Sequence, residues 1–354
     1  METQLLKIGM PAGSLADPNR GGNLIKLLES AGFRTSGYDK GGPSKFSTLN
    51  YIFGWDGRPQ EFGSQLGLNE IDVAIAGDDW IQERVLELKY EFKSDLTLEK
   101  VLSLKRGDVK IVGIIDQENK ASSIEEYLKA ISNQDIISVV AEMPYLALNW
   151  IIEKLKNIGL DKKFSKFSVQ KYKTPPKVKQ GIVIYETWGK TEAKVKNRGA
   201  DIGLEITQTG SSLRNYGLKI IDTVMTSETG IWINPKLKKD KDKRELLQMF
   251  LLNLYGSVNA ENKVLVIFNV ANIYREEIEN YLKKNYLFAD EPTMNVGKSF
   301  TEFSIQIDTD NEKIPLAKLR YSLARLKAVN INTIPVDSCI QSMDIIEFDQ
   351  TGGL

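Results

Sequence analysis

From Leu5 to Val270 one unit keeps repeating: a short apolar run, a turn rich in Gly, Pro, Asp or Ser, then apolar residues at helical spacing. Short apolar strands alternating with helices bury both faces only in sheets that helices cover. The pattern therefore predicts an α/β architecture with mainly parallel sheets. Leu5–Met10 is the first such strand, closed by Pro11-Ala12-Gly13-Ser14, and Leu24, Leu27, Leu28 and Ala31 predict a helix over 23–31 with Gly32 as its stop. Ile71–Ala76, Val109–Ile115 and Ile136–Ala141 are further strands, and Gly77-Asp78-Asp79-Trp80-Ile81 leads into another helix. Leu204-Glu205-Ile206 ends a strand that turns through Thr207–Ser212. Beyond the turn, Leu213, Leu218, Ile220, Ile221, Val224 and Met225 predict a largely buried helix, and Ile231–Ile233 a strand. Lys236–Arg244 reads as a solvated connector, followed by a helix to Tyr255.

The last hundred residues change pattern. Strands at Lys263–Val270, Thr293–Val296, Phe300–Ile307 and Ile331–Val336 are interleaved with helices at Tyr274–Lys284 and around Leu316, Leu319, Leu323 and Leu326. This βαββαβ order is the ferredoxin-like arrangement, which often serves regulation or assembly.

Two absences restrict the chemistry. The chain has no histidine, which excludes His general bases, Ser-His-Asp triads and His-bound zinc. Cys339 is its one cysteine, so no internal disulfide or thiolate metal cluster forms. Basic and acidic residues number 47 each, so no net field favours nucleic acid or an anionic membrane. No apolar run approaches the roughly 20 residues of a membrane span, and no secretory signal opens the chain, so a cytoplasmic address is expected. Such a chain suits reactions governed by positioning and electrostatics, with an oxygen-bound ion such as magnesium.

The segment Thr207-Gln208-Thr209-Gly210-Ser211-Ser212-Leu213 has the makings of a phosphate receptor. Gly210 allows close backbone approach, the amides of the following helix point outward, and three hydroxyls add donors. A plain capped helix start is the competing reading. Glu205, just upstream, is placed to hold ribose hydroxyls beside such a cradle.

These residues, with Gly199-Ala200-Asp201, Arg214 and Gly217–Asp222, resemble the phosphoribosyl-pyrophosphate loop of the ATP phosphoribosyltransferases. Trp188–Lys194 is similar to a segment of the family's long form. Ile8–Leu15, Arg58-Pro59-Gln60-Glu61, Asp72–Ile81 and Val139–Glu142 match other stretches in the same order. The resemblance implies transfer of a phosphoribosyl group to N1 of ATP with loss of pyrophosphate, the first step of histidine biosynthesis. It implies two periplasmic-binding-protein-like lobes, 1–106 with 234–259 and 107–233, and an ACT-like ferredoxin-fold domain over 260–354 that senses histidine. Magnesium would accompany the pyrophosphate, with Glu205 as a candidate metal contact. Phosphoribosyl pyrophosphate would bind Glu205, Thr207, Gln208, Thr209, Gly210, Ser211, Ser212 and Leu213. ATP or pyrophosphate would meet Pro11, Gly13, Ser14, Arg58, Asp79 and Glu142. A homo-oligomer, hexamer or dimer, is the implied assembly. The first loop departs from the family in carrying Ala12 where a lysine is usual, with Arg20, Lys40 or Lys45 as candidate replacements. Phe53-Gly54-Trp55-Asp56-Gly57 departs from the usual apolar strand. A non-catalytic paralogue on the same scaffold, or transfer to another base, therefore stays open beside the active transferase.

Overall fold

The computed structural model describes residues 5–12, 15, 23–40, 43–46, 51–288 and 292–346. The chain runs β1 (Leu6–Pro11), α1 (Leu24–Ser30), β2 (Thr35–Ser36), β3 (Lys45–Phe46), β4 (Ile52–Gly57), α2 (Pro59–Gly67), β5 (Val73–Gly77), α3 (Asp78–Phe92) and β6 (Glu99–Ser103). It continues through β7 (Val109–Asp116), α4 (Ile124–Ala130), β8 (Ile136–Ala141), α5 (Pro144–Asn157), β9 (Phe167–Lys171), β10 (Gly181–Glu186), α6 (Thr191–Lys196), β11 (Ile202–Thr207), α7 (Ser211–Asn215) and β12 (Leu218–Ser227). Then come β13 (Thr229–Ile233), α8 (Lys241–Ala260), β14 (Lys263–Ala271), α9 (Arg275–Lys284), β15 (Thr293–Val296), β16 (Phe300–Asp308), α10 (Leu316–Arg325) and β17 (Val329–Pro335).

The chain divides into two compact units, 1–25 with 34–246 and 26–33 with 247–354. The first holds two large sheets, one per lobe, and the two-stranded sheet β2-β3. Lobe I orders its strands β4-β1-β5-β13-β6, and lobe II β12-β7-β11-β8-β10-β9. In both, the central strands are parallel and one strand runs against them, β13 between β5 and β6 in lobe I and β7 between β11 and β12 in lobe II. Apolar runs cause this, since Ile111, Ile137, Val139, Ile182, Ile184 and Ile202 are wholly or almost wholly buried under α4 and α5. The second unit closes β15-β16-β14-β17 into an antiparallel sheet whose inner face packs on Ile278, Leu282, Leu319 and Leu323. Phe268 and Phe303 stack there with ring centroids 5.4 Å apart. Its βαββαβ element order is the one read from the pattern.

Three expectations are corrected. Residues 218–227 form strand β12 rather than a helix. Its register against β7 shifts between Ile220 and Asp222 and again between Thr223 and Met225, and these two bulges displace the apolar positions from strict alternation into apparent helical spacing. Phe53–Gly57 lies in edge strand β4, pairing residue for residue with Lys7–Pro11. Asp56 there accepts the Ser44 amide (2.9 Å) and hydroxyl. The lobe boundaries also move: Thr229–Ile233 pairs with β5 and β6 and so belongs to lobe I, while α8 from Leu247 onward joins the C-terminal unit. Among the described residues, no helix is long and apolar enough to cross a membrane.

Gly113, in β7 between β12 and β11, has no room for a side chain. A Cβ would stand 2.2 Å from Cη2 of Trp150, whose indole N–H is held by Asp222 at 2.9 Å. Gly113→Ala should cost about 1–3 kcal/mol, the usual range for overpacking, read as a lower denaturant midpoint at unchanged slope.

Candidate active site

Lobe II aligns three strand ends. Ala141 is in register with Leu204 on one side and Glu186 on the other, so the next residues, Glu205, Glu142 and Thr187, stand abreast on β11, β8 and β10. Neighbouring strands lie about 4.8 Å apart, which puts Glu142 between the other two.

The loop after β11 is held by its own side chains. Gly210 donates its amide to the Thr207 hydroxyl at 2.8 Å, Thr209 and Ser211 share a hydroxyl bond of 2.8 Å, and Arg214 donates to the Thr209 carbonyl at 3.2 Å. Gly210 sits at φ +71°, the left-handed conformation that starts α7, and a Cβ there would be 3.3 Å from Arg214 Nη1 and 3.4 Å from Ile220. Leu213 is buried and anchors the turn, while Gln208, Thr209, Ser211 and Ser212 are exposed. The first-turn amides of α7 have no preceding carbonyl of their own helix to pair with, and that of Ser211 donates to the Thr209 hydroxyl at 3.4 Å.

Glu205 accepts its neighbour Ile206's amide at 2.9 Å. Burial pushes its carboxyl up to about 7 against the Ile206 amide bond, with smaller repulsion from Glu192 and Glu142 and a smaller bond from Thr191. Burial likewise raises Glu142. The adjacent ends of β11 and β8 thus hold two carboxylates that resist being charged together. Among the described residues no group of three acidic, Cys or His side chains forms a ready metal cage.

On lobe I, Pro11 and Arg58 stand at the ends of the paired strands β1 and β4; Pro11 is buried and its carbonyl accepts the Tyr38 hydroxyl, while Arg58 is exposed. Gly13, Ser14 and Arg20 lie outside the described residues. Lys40 and Lys45 are both exposed. Asp79 is buried: its carboxylate accepts the Trp80 amide at 2.9 Å, and its own amide donates to Ser227 at 3.1 Å. It belongs to the crossing between lobes rather than to an open surface.

Among the described residues, cavities open between the lobes at two places. One, of about 410 Å³, is lined by Asp78 of lobe I and by Lys110, Gln208 and Thr226 of lobe II. The other, of about 230 Å³, lies between Gln60, Trp80 and Arg84 on one side and Glu142, Thr187 and Trp188 on the other. Lys110 is the register partner of Thr207.

Glu83, which the sequence reading passed over, ties the lobes together. Buried on α3, it accepts the Tyr145 amide at 3.0 Å and the Leu146 amide at 2.7 Å, the first turn of α5, which has no side-chain cap of its own. Tyr145 in turn donates to Glu91 (2.9 Å) and Tyr90 to Asn149 (2.9 Å). The available signal was its place with Asp79 and Leu86 at helical spacing, where a core residue is expected.

Two α/β lobes with cavities between them define an α/β cleft protein. A family model described as HisG, ATP phosphoribosyltransferase, matches residues 58–256, more than half of the chain. The chain belongs to the ATP phosphoribosyltransferase family, the pentosyltransferases of the first step of histidine biosynthesis. It is 28% identical to the ATP phosphoribosyltransferase of Chlorobium phaeobacteroides over 73% of this chain and 74% of that one. It is 26% identical to that of Desulfosudis oleivorans over 88% and 91%. Among solved structures it is similar to the ATP phosphoribosyl transferase (HisG:HisZ) complex from Thermotoga maritima, with TM-score 0.48 and 14% identity over 71% of this chain and 98% of that one.

Burial lifts Glu83 from its ordinary 4.5 to about 7, against the two amide bonds that pull it down. The folded chain then holds this proton more tightly than the unfolded chain. Stability from this group is complete below about 4.5 and is lost as pH rises through 7. Glu83→Gln should flatten the fall of Tm between pH 5 and 8, while lowering Tm at pH 5 because its NH2 end faces one of the two backbone donors and cannot accept. An unchanged pH slope would assign the dependence elsewhere.

Proposed function

We propose that the cleft of this chain joins N1 of ATP to C1 of phosphoribosyl pyrophosphate, with the 5′-phosphate on the loop from Thr207 to Leu213 and the ribose hydroxyls on Glu205. The observation that carries this reading is the sequence Glu205–Thr207–Gly210 at one strand end with Glu142 abreast of it. The adenine nitrogen attacks with its own lone pair, and pyrophosphate leaves with the electrons of the C1–O bond. Forming the new bond removes no proton, so a chain without histidine has what it needs. Its residues orient two polyanions in line and face the positive charge developing on the ribosyl centre. Magnesium, which screens a leaving pyrophosphate, would arrive on that group, with Glu205 within its reach as a single carboxylate.

The C-terminal unit, with β14 and β16 central in its sheet, is read as the ferredoxin-like, ACT-like regulatory domain. Histidine is its proposed ligand, a homo-oligomer of dimeric or hexameric order its proposed assembly, and the cytoplasm its setting. Histidine inhibits only by favouring a less active state, and substrates then weaken histidine binding by the same factor. Ala12 favours one second reading, a paralogue that binds phosphorylated ligand without turnover.

Mixing the protein with ATP, phosphoribosyl pyrophosphate and magnesium decides between them, with the N1 adduct as readout and added histidine expected to slow its formation. Absence of adduct while phosphoribosyl pyrophosphate still binds would select the paralogue. Gly210→Val places a β-branched residue at φ +71° and should weaken phosphoribosyl-pyrophosphate binding by about 2 kcal/mol, roughly 30-fold. Unchanged affinity in calorimetry would remove the loop from the site.

Glu205 holds hydroxyls as a carboxylate, so its raised pKa predicts a pH profile. The kcat/KM for phosphoribosyl pyrophosphate should climb as pH rises through about 7. Glu205→Gln should lower it and abolish that limb with little change in Tm; a limb that survives in the variant assigns it to another group.

A further inference from the structure

Trp188 is the exposed aromatic that the cleft does not otherwise explain. It follows β10 in a loop pinned on both sides: Thr187, itself buried, donates its amide to the Ala141 carbonyl at 3.0 Å, and Lys194 donates to the Gly189 carbonyl at 2.6 Å. Yet the Trp188 residue is 75% exposed. Lys171, ion-paired with Glu186 at 2.8 Å, stands 5.7 Å from the indole ring. A large apolar ring held open on a rigid loop beside a cavity marks a ligand surface more often than chance exposure does. Trp80 of lobe I lines the same cavity from across the cleft.

Charge decides which end of a nucleotide fits here. Besides the capping Glu83, the lining carries Glu87, Glu142 and Glu186, while Arg84 is paired with Glu87 at 2.6 Å and Lys171 with Glu186 at 2.8 Å. A triphosphate is repelled, whereas a flat base with an exocyclic N–H is suited to both the indole and a carboxylate. Position agrees. The phosphoribosyl loop ends β11, Glu142 ends β8 and Trp188 follows β10, so the strand bearing Trp188 lies two spacings, about 10 Å, from the one bearing the loop. A base over β10 meets a ribose over β11 at β8, beside Glu142.

We infer that Trp188 is the platform on which the acceptor's adenine stacks, and that Glu142 accepts its N6–H at the junction where the new bond forms. This rests on the transferase reading above. When N1 bonds to C1 and the C1–O pair departs with pyrophosphate, the adenine becomes cationic with charge shared onto N6. The Glu142 carboxylate therefore bonds the product-like state more strongly than the neutral base, the condition for raising kcat rather than only affinity.

Fluorescence titration of the full-length protein separates this inference from the reading beneath it, because equilibrium binding needs no turnover. ATP and adenosine should each quench indole emission, inorganic triphosphate should not, and the quench should vanish in Trp188→Phe. Quenching by triphosphate alone, or a full quench that persists in Trp188→Phe, overturns the proposal even if the wild type proves inactive. In the active enzyme, Trp188→Ala should raise KM for ATP about tenfold or more and leave KM for phosphoribosyl pyrophosphate within about twofold, with Trp188→Phe recovering most of the loss. Glu142→Gln should lower kcat with little change in KM for ATP. Equal rises for both substrates in Trp188→Ala would make the residue a structural support of the loop and refute the stacking role.

Discussion

Lys100 holds the crossing on which the cleft depends. The chain leaves lobe I after β6 and comes back at β13, so the two connections run side by side and must be fixed if the strand ends are to face each other. From β6, Lys100 reaches Asp78 at the start of α3 (2.9 Å) and Glu228 in the return connection (2.7 Å). Burial pulls its pKa down, but these two carboxylates outweigh it and raise the value. Gly230 makes room for the stem, since a Cβ there would stand 2.7 Å from Lys100 Cε. The Leu104 amide bonding the Thr229 carbonyl and the Thr229 amide bonding the Arg106 carbonyl join the two connections directly. Ser227 and Asp79 complete the junction, which is why Asp79, in a motif shared with the family, ends up buried at the crossing.

A second tie lies further along α3, where Glu83 supplies from lobe I the cap that α5 lacks. An uncapped, buried helix start leaves amides without partners, and a carboxylate is a strong acceptor for two of them. Glu83 and the crossing brace the cleft at two places, with both cavities opening between the lobes. The same region collects carboxyls whose burial resists ionisation: Glu83, Glu142 and Glu205. In a chain without histidine, Glu83 and Glu205, both lifted to about 7, make pH dependence there a carboxylate property.

How far the sequence reveals this follows from what each signal reports. Strand and helix alternation survives burial, so both α/β lobes and the C-terminal βαββαβ order are legible from apolar spacing alone. β12 is illegible because its two bulges erase the period of two, and edge strand β4 because Gly54, Asp56 and Gly57 break its apolar run while β1 supplies the pairing. The loop at Thr207–Leu213 is legible because glycine and hydroxyls at a strand end have few alternative uses. Glu83 and Trp188 were harder. Their meaning comes from partners 62 residues away and across the cleft, and no local pattern records that a helix start elsewhere lacks a cap.

Ala12 illustrates how composition at one position has to be weighed against the whole cleft. Its amide bonds the Gly57 carbonyl at 3.0 Å and its methyl is exposed, so the backbone of the first loop begins along β4 whatever side chain stands there. A lysine missing from this point removes a charge-assisted contact worth about 1.5–3 kcal/mol to a bound polyanion. Lobe II carries a positive charge of its own beside the loop. Lys110 lies opposite Thr207 in the β7–β11 ladder and lines the same cavity as Gln208. Among the described residues Lys110 is the one cation in that lining, beside Asp78, Asp108 and Glu228, of which Asp78 and Glu228 are already paired with Lys100. The deficit at Ala12 falls on the lobe I side, on whatever group extends away from the loop.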